Sequence, residues 1–367
     1  MAIFDPFGNL YGSERSMLDL LRALPRAEVA PVVYCPRGAD WLPELRSLGI
    51  RYYDWFERDL HKASRASRML ALAKFMAFAV RERLDVIHLN QVGVAPYALV
   101  AADVLRLPVV LHSRWHEDAC SIAALRHGVR RLVKVVCISD YQRGIIATQN
   151  RVGGDKLVVI RNPYDFRRAQ DAMPLHANDG APPLFVCPAR LHPHKRQDLL
   201  IEAARIYTER YGPCVVQLVG EESQGSGFAA RLEAAARDHG LERSIIFCGY
   251  QSDVAARLAV ATAMVLPSDT ESLGRVVFEA WHAGTIPIAW AGSGGPQETI
   301  AGSGGGILYP EQTAEALAEA MHRAAMLSQR ERAAMIGKGL SWLDENCAPE
   351  RHAAAMVRVW REAMASA

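Results

Sequence analysis

Glu271 and Glu279 stand eight positions apart in a segment that follows the short apolar run Ala263–Leu266. The run predicts a buried strand and the residues before Glu279 have helical character, so Glu271 falls in a loop at the carboxyl end of a strand. Two carboxylates at such an edge suit a ligand rich in hydroxyl groups, although surface glutamates on helices are common. Amide N–H groups at the start of the helix favour a phosphate or another anion, and here they belong to Ser272, Leu273 and Gly274.

A basic pair, Arg190 and Lys195, follows the predicted strand Leu184–Pro188 and flanks a loop that enters a helix. Positive side chains beside a helix start are suited to a diphosphate. The chain has six lysines, so a lysine at this place is less easily explained as a random surface residue. His192 and His194 could suggest a metal site, but no carboxylate or cysteine stands at ligand spacing, which favours a polar loop.

Two further candidates lie in the first half of the chain. Gly8 and Gly12 follow a very short predicted strand that ends before Asp5. They precede a predicted helix and would let the backbone approach a ligand closely. Their spacing is not GxGxxG and does not support a dinucleotide site. His112 ends the predicted strand Val109–His112, at the edge where ligands are expected, and a hydrogen-bonded core histidine is an equal alternative.

Several familiar motifs are absent from the sequence. It holds no Asp-x-Asp for a carboxylate-bound cation, no GxSxG and no GxxxxGK[ST], which argues against an α/β-hydrolase and a P-loop NTPase. The seven cysteines never form a CxxC pair, so we expect reduced thiols with neither a disulfide framework nor a zinc site. No metal and no cofactor is expected.

The elements that must position these residues alternate between strands and helices. With 367 residues, two domains are expected. Short apolar runs separated by helical patterns predict an α/β protein with two doubly wound, Rossmann-like parallel sheets that face a cleft. The predicted helices include 65–83, 197–207, 227–239 and 313–326, and the predicted strands are 29–34, 86–89, 109–112, 133–138, 157–160, 184–188, 215–219, 245–248, 263–266 and 286–289.

The alternation breaks in a segment rich in Pro, Asn, Asp and Gly, which is typical of a linker. We therefore expect a first domain over 1–165, a linker over 166–183 and a second domain over 184–348. Residues 349–367 predict a terminal helix, which could cross back to the first domain or pack against the second. No transmembrane span and no signal peptide is predicted.

The net charge of +2 hides an asymmetry between the halves. Residues 1–170 hold 25 basic and 17 acidic side chains, so the remainder is acidic. The near-balance excludes a strongly basic nucleic-acid binder. Within the first half, basic residues interleave with apolar ones from Lys62 to Arg83, and this pattern is typical either of a helix on an anionic membrane or of a solvated helix face. The basic residues of this half form two clusters. The first consists of Arg58, Lys62, Arg65, Arg68 and Lys74, and the second of Arg126, Arg130, Arg131 and Lys134.

Taken together, these motifs resemble the retaining glycosyltransferases of family 4, which have the GT-B fold. Glu271 and Glu279 match the E-x7-E element of that family, and Arg190 and Lys195 match its diphosphate-binding pair. Other segments with family character are Tyr11–Glu14, which resembles the GGxE loop, and 162–165, 283–287 and 294–298. Tyr11 stands where the family has its first glycine, a departure that bears on the acceptor pocket.

The resemblance implies a role for each matching residue. Arg190 and Lys195 would neutralise the diphosphate of a nucleotide-sugar, and Glu279 would bind the ribose. Glu271 and the amides of Ser272, Leu273 and Gly274 would hold the donor sugar and phosphates. Gly12 would close over the diphosphate, and His112 would approach the donor sugar and the reaction centre. The family needs no metal and retains the anomeric configuration.

We therefore expect a retaining hexosyltransferase that uses a UDP- or GDP-sugar donor and a saccharide or lipid-linked saccharide acceptor, with no nucleic-acid partner. A cytoplasmic location is expected, with peripheral contact to the inner face of the cell membrane left open. Two alternatives remain at this point, a sugar-nucleotide epimerase of similar architecture and a non-catalytic nucleotide-sugar-binding protein. Product analysis without acceptor would identify the first, and calorimetry with nucleotide-sugars bears on the second.

Overall fold

A computed structural model describes residues 1–56, 64–125, 129–149, 152–165, 181–223, 225–251 and 253–366. The chain divides into two compact units. The first consists of Met1–Asp165 with Asn346–Ala367, and the second of Phe166–Glu345. Most of the expected linker, and the basic residues Arg58, Lys62 and Arg126, lie outside the described residues.

Seven parallel strands form the sheet of the first unit, in the order β3-β2-β1-β4-β5-β6-β7. The strands are β1 (Ala2–Phe4), β2 (Val32–Pro36), β3 (Arg51–Phe56), β4 (Ile87–Leu89), β5 (Val109–Ser113), β6 (Leu132–Cys137) and β7 (Leu157–Val159). The connecting helices are α1 (Gly12–Ala23), α2 (Leu42–Ser47), α3 (Arg65–Arg81), α4 (Ala95–Leu105), α5 (Asp118–Ala123) and α6 (Asp140–Thr148). The strand order reverses direction between β1 and β4, which places a ligand crevice at the carboxyl ends of those two strands.

Side chains of the strands alternate between two cores, one on each face of this sheet. Ala2 and Phe4 point into a cluster with α3 and α4, whereas Ile3, between them, packs with α1. Burial on both faces explains why the inner strands read as unbroken apolar runs.

The last helix of the chain, α14 (Pro349–Ala365), belongs to the first unit. Its buried residues Met356 and Trp360 pack in the same cluster as Ile3 and α1. The Trp360 indole N–H donates to His88 Nδ1 on β4 at 3.2 Å. The structure thus returns the helix to the first sheet, one of the two placements that the sequence left open.

Six parallel strands form the sheet of the second unit, in the order β10-β9-β8-β11-β12-β13. They are β8 (Leu184–Pro188), β9 (Val215–Val219), β10 (Ile245–Gly249), β11 (Ala263–Leu266), β12 (Pro287–Trp290) and β13 (Ile307–Tyr309). The helices are α7 (Gln197–Tyr211), α8 (Phe228–Asp238), α9 (Val254–Ala259), α10 (Arg275–His282), α11 (Gly295–Ser303), α12 (Ala314–Met326) and α13 (Gln329–Cys347). Here the order reverses between β8 and β11, so the crevice lies at their carboxyl ends.

The α/β architecture with two parallel sheets confirms the fold class predicted from the sequence. Strands β8, β9 and β11 have the predicted bounds, and β2 begins three residues later than predicted, just after Pro31. The prediction missed β3 and β13, which are edge strands. β3 contains charged and aromatic residues without a clear alternation, and β13 is three residues long after a glycine-rich run. Among the described residues, none of the helices has the length and apolarity needed to cross a bilayer.

Candidate functional site

Lys195 and Glu271 meet at the crevice of the second sheet. Lys195 follows β8 and Glu271 follows β11, and the two strands are neighbours although the residues are 76 positions apart. The Lys195 ammonium donates a hydrogen bond to Glu271 Oε1, and both side chains are mostly buried, with 23% and 18% exposed. Ser268 Oγ donates to the same oxygen at 3.0 Å. The carboxylate is therefore held in one place by two donors.

Asp269 makes a second link between these two loops. Its backbone N–H donates to the carbonyl of His194 at 2.9 Å. Its carboxylate accepts from the Arg196 guanidinium at 3.2 Å and from Gln312 Nε2 at 3.0 Å. Sequence reasoning missed Asp269 and Gln312, and the only available signal was that Asp269 lies two residues before Glu271.

The loop after β12 supports the Glu271 loop from the other side. Glu271 N–H donates to the carbonyl of Ser293 at 2.8 Å, and Gly295 N–H donates to the carbonyl of Glu271 at 2.9 Å. A Cβ at Gly295 would lie 2.5 Å from the Cα of Leu273, so only glycine fits there. The segment from Glu271 to Gly274 is consequently fixed between the loops that follow β8 and β12.

Helix α10 begins directly after that segment. Gly274 is its N-cap, with φ +75°, and a Cβ there would lie 2.5 Å from Cγ of Pro296. Ser272 and Leu273 precede the helix, Leu273 buried and Ser272 half-buried. Glu279 lies one turn into α10 and is half-buried. The helix start therefore faces the same edge of the sheet as Lys195 and Glu271 and offers amides to an anion.

Arg190 stands at the exit of β8 and its side chain is exposed. Its guanidinium has no hydrogen-bond or ion-pair partner among the described residues, whereas its carbonyl accepts from Gln197 Nε2 at 3.0 Å. Gly220, after β9, lies close to this loop. A Cβ at this position would lie 2.3 Å from the carbonyl oxygen of Ala189 and 3.1 Å from Arg190 N, so a larger residue would not fit without moving the loop. The backbone of Arg190 is fixed while its charge stays available.

Gly12 and His112 belong to the first unit. Gly12 opens α1, and Glu14 in the same turn is buried, accepting from the backbone N–H of Tyr11 at 3.0 Å and from Gln91 Nε2 at 2.7 Å. This pairing closes the loop of the predicted GGxE element around a buried carboxylate.

His112 is wholly buried at the end of β5. The Arg114 guanidinium lies 3.3 Å from its Nδ1, and since a guanidinium only donates, Nδ1 accepts and the proton resides on Nε2. Burial, together with the nearby charge of Arg114, lowers the pKa of His112 well below its usual value. Within the described residues, Nε2 has no hydrogen-bond partner. His112 is thus a neutral N–H donor.

Two more buried histidines surround His112, and sequence reasoning missed both. His88 packs edge-on at 5.6 Å between ring centroids, and His352 of α14 stacks at 6.2 Å. Burial lowers the pKa of His88 and of His352 to about 3 in each case. No group of three His, Cys, Asp or Glu side chains with metal-binding geometry occurs in the described part of the chain, and His194 instead lies 3.4 Å from Asp269.

The two doubly wound sheets, each with polar residues at its crevice, define an α/β protein with two Rossmann-like units. Comparison with protein families is consistent with this class. The model "Glycosyltransferase Family 4" matches residues 11–168, and "Glycosyl transferases group 1" matches residues 170–341. Both models describe glycosyltransferases and together they span most of the chain, which therefore belongs to the group 1 glycosyltransferases of the GT-B fold. These matches do not favour the epimerase or the non-catalytic alternative.

Curated relatives are about 30% identical to this chain over segments that span less than half of their own length. A GDP-mannose-dependent alpha-(1-6)-phosphatidylinositol monomannoside mannosyltransferase of Mycobacterium tuberculosis is 30% identical over 174 residues, 45% of this chain and 43% of that protein. A D-inositol 3-phosphate glycosyltransferase of Streptomyces bingchenggensis is 32% identical over 214 residues, 54% of this chain and 45% of that protein. The matched segments thus span less than half the length of these relatives.

Solved structures resemble the whole chain in fold. Anabaena HepE in complex with UDP has a TM-score of 0.80 and 17% identity, covering 98% of this chain and 99% of that one. At this identity, the likeness shows the fold alone.

Proposed function

We propose that this protein transfers a hexosyl unit from a nucleotide-sugar to a saccharide or lipid-linked saccharide, with retention of the anomeric configuration and without a metal. The observation that carries the proposal is the Lys195–Glu271 pair at the strand-order reversal of the second sheet, beside the start of α10. Its residues agree with the family motifs, and the family matches extend over both units.

Arg190 and Lys195 are proposed to bind the donor diphosphate. The Arg190 guanidinium is exposed and presents a fork of donors that fits phosphate oxygens. Lys195 has three N–H donors, of which Glu271 takes one in the structure, so two remain for phosphate. Two fixed positive charges stabilise a departing diphosphate without a bound cation.

The carboxylates are proposed to bind hydroxyl groups. Glu271, held by Lys195 and Ser268, would accept from the donor sugar, and Glu279 would accept from the ribose. The amides of Ser272, Leu273 and Gly274 would contact the phosphates at the start of α10. In the first unit, Gly12 would approach the diphosphate by its backbone, and the neutral His112 would donate from Nε2 to the sugar.

The proposed reaction breaks the bond between the anomeric carbon and a phosphate oxygen, and the nucleoside diphosphate leaves with the bonding electrons. The acceptor hydroxyl attacks the same face of the sugar and its proton passes to the departing phosphate oxygen. The protein contributes positioning and charge stabilisation, with no protein nucleophile.

The relatives suggest the donors to test. The mycobacterial relative is named for GDP-mannose, and HepE was solved with UDP and with UDP-glucose. A thermal-shift screen against UDP- and GDP-sugars would select the donor for kinetic work. An anomeric proton spectrum recorded early in turnover would then distinguish retention from inversion.

Lys195→Ala and Glu271→Ala test the site itself. We expect each to lower kcat about a hundredfold, because each removes a group that contacts the reacting donor. The matched controls are Lys338→Ala and Glu233→Ala, exposed side chains of the same unit, which should keep wild-type rates. Near-normal activity of both site variants would refute the assignment.

Peripheral contact with an anionic membrane at the cytoplasmic face is also proposed, through α3. Three large apolar residues of this helix point outward, with Met69 64%, Leu70 58% and Val80 64% exposed. The helix contains four basic residues and no acidic one. An exposed apolar stripe flanked only by positive charge is typical of a helix that lies on an anionic surface.

Vesicle flotation tests this contact. Binding to vesicles that contain phosphatidylglycerol is expected at low salt, and Leu70→Glu should weaken it, because the glutamate adds negative charge at an apolar contact. Met326→Glu, at an apolar side chain 70% exposed in the second unit, is the control. Equal flotation of wild type and Leu70→Glu would exclude α3 as the contact.

A further inference from the structure

Exposed aromatic side chains follow two strands of the first sheet, β1 and β5, at its crevice. Tyr11, after β1, is 59% exposed, and Trp115, after β5, is 48% exposed. β4 lies between these strands, and its exit carries Gln91. None of these three residues has a role in the reaction described above.

Trp115 is held rigidly although half of its side chain is exposed. Its backbone N–H donates to Asp118 Oδ2 at 2.9 Å, and its carbonyl accepts from Gln142 Nε2 at 2.9 Å. Its indole N–H donates to Gln91 Oε1 at 3.2 Å. Every polar atom of the residue is therefore engaged, and the exposed remainder is an apolar aromatic surface in a fixed orientation.

The anchor of the indole is itself buried. Gln91 is 2% exposed and donates through Nε2 to Glu14 at 2.7 Å and to Ser13 at 3.1 Å. Glu14, 1% exposed, also accepts from the backbone N–H of Tyr11. One buried hydrogen-bonded group thus fixes the ring of Trp115 and the backbone of Tyr11 together.

A fixed, exposed tryptophan suits a ligand with one flat apolar face and a polar edge. A pyranose has such a face, formed by its axial C–H groups, and stacking on it costs little entropy when the ring is already immobilised. Isolated exposed apolar residues are common on protein surfaces. The ring of Trp115 differs because Gln91 holds its indole N–H and is itself held by Glu14 and Ser13.

We propose that Trp115 is a stacking platform for a pyranose ring of the acceptor. The ligand class is a saccharide, whose flat apolar face would pack on the exposed face of the indole. The proposal rests on the proposed glycosyl transfer for the identity of the ligand as acceptor, but the platform itself is testable without turnover.

A fluorine label reports on the platform directly. The full chain is produced with 5-fluorotryptophan, and the Trp115 resonance is assigned with Trp115→Phe. Methyl α-D-glucopyranoside, methyl α-D-mannopyranoside and methyl α-D-galactopyranoside are titrated singly, with glycerol as the matched polyol that lacks a ring. We expect a saturable shift of the Trp115 resonance with at least one pyranoside and not with glycerol, while the buried Trp41 and Trp360 resonances stay in place.

Two variants extend the test. Gln91→Met removes the anchor of the indole N–H and should weaken pyranoside binding severalfold, since the freed ring must be ordered again. If turnover is established, Trp115→Ala should raise the KM for the acceptor about tenfold while the donor KM stays at its wild-type value. Tyr250→Ala, an aromatic side chain 65% exposed in the second unit, should change neither constant.

The outcomes separate this proposal from the proposed function. A Trp115 resonance that no pyranoside moves, or that glycerol moves equally, overturns the platform even if the enzyme is active. Loss of vesicle flotation in Trp115→Ala with an unchanged acceptor KM would also overturn it and assign the ring to the membrane. Absence of transfer with every donor, together with a saturable pyranoside shift, would refute the transferase and leave the saccharide site standing.

Discussion

Gly220→Ala should weaken nucleotide binding without touching a nucleotide. Gly220 has φ +153°, and the added methyl group would lie 2.3 Å from the carbonyl oxygen of Ala189 and 3.1 Å from Arg190 N. These are backbone atoms, so relief requires the β8 exit loop to move by about 1 Å rather than a side chain to rotate. The loop carries Arg190, whose position is thereby disturbed.

The strain that the added methyl group introduces has two contributions. Overpacking against backbone costs about 1–3 kcal/mol, and an unfavourable φ for alanine adds on the order of 1 kcal/mol. If the loop shifts instead of bearing this strain, Arg190 is displaced by a distance comparable to the tolerance of a hydrogen bond. Loss of one charge-assisted contact of about 1.5–3 kcal/mol corresponds to affinity lower by roughly tenfold to a hundredfold.

The assay is calorimetric titration of UDP and GDP into wild type and variant, with urea unfolding measured in parallel. Gly212→Ala is the matched control, because Gly212 has φ +107° and no atom within 4 Å of its Cβ position. Gly212→Ala introduces the unfavourable backbone conformation without a steric clash, so it should lower the free energy of unfolding and leave the affinity for UDP and GDP unchanged. Equal affinity of Gly220→Ala and wild type, or equal losses in both variants, would refute the reasoning.

Two further predictions concern stability. Burial lowers the pKa of His88 and of His352 to about 3 in the fold, against about 6.5 in the unfolded chain. The unfolded chain therefore binds more protons between these values, and the free energy of unfolding should fall as pH drops below 6.5. Burial and the nearby Glu14 raise the pKa of Asp5 to about 7, and burial also raises the pKa of Asp118, which opposes the trend, whereas the lowered pKa of His112 adds to it. Urea unfolding at several pH values should show the net fall, with a shallower slope for His352→Gln; a flat profile would contradict it. Trp360→Ala should destabilise the first unit by about 3–5 kcal/mol, because it empties a buried site under α14, and Met364→Ala, at an exposed position of the same helix, should not; equal unfolding midpoints would contradict this.

Much of the second unit could be predicted from the sequence because its signals are local. Apolar runs mark β8, β9 and β11 with their observed bounds, and polar residues directly after those runs must gather at one edge of a parallel sheet. That rule brings Lys195 and Glu271 to the same edge, although the actual hydrogen bond between them requires coordinates. Asp269 and Gln312 were not predicted, because Asp269 pairs with Arg196 at a distance of 73 residues in sequence and Gln312 pairs with Asp269 at a distance of 43. No local sequence pattern indicates such pairs.

In the first unit, contacts between residues that are distant in sequence could not be predicted. His112 was chosen for its place at a strand end, but its tautomer depends on Arg114 and its surroundings include His352, which lies 240 residues further along. The anchor of Trp115 likewise depends on Gln91 and Glu14 from other strand exits. Pairings of this kind result from tertiary packing of distant segments, and composition and periodicity carry no information about them.

The return of α14 to the first sheet has a consequence for biosynthesis. Residues 2–160 leave the ribosome before the second unit, yet the face of their sheet that packs against α1 lacks the rest of its cover until Ala353, Met356 and Trp360 are translated. The segment that forms the second sheet emerges in between and already contains all six of its strands. The first unit is therefore completed only after the second unit has been synthesised, and a ribosome stalled before residue 350 would present to chaperones the apolar surface that α14 covers.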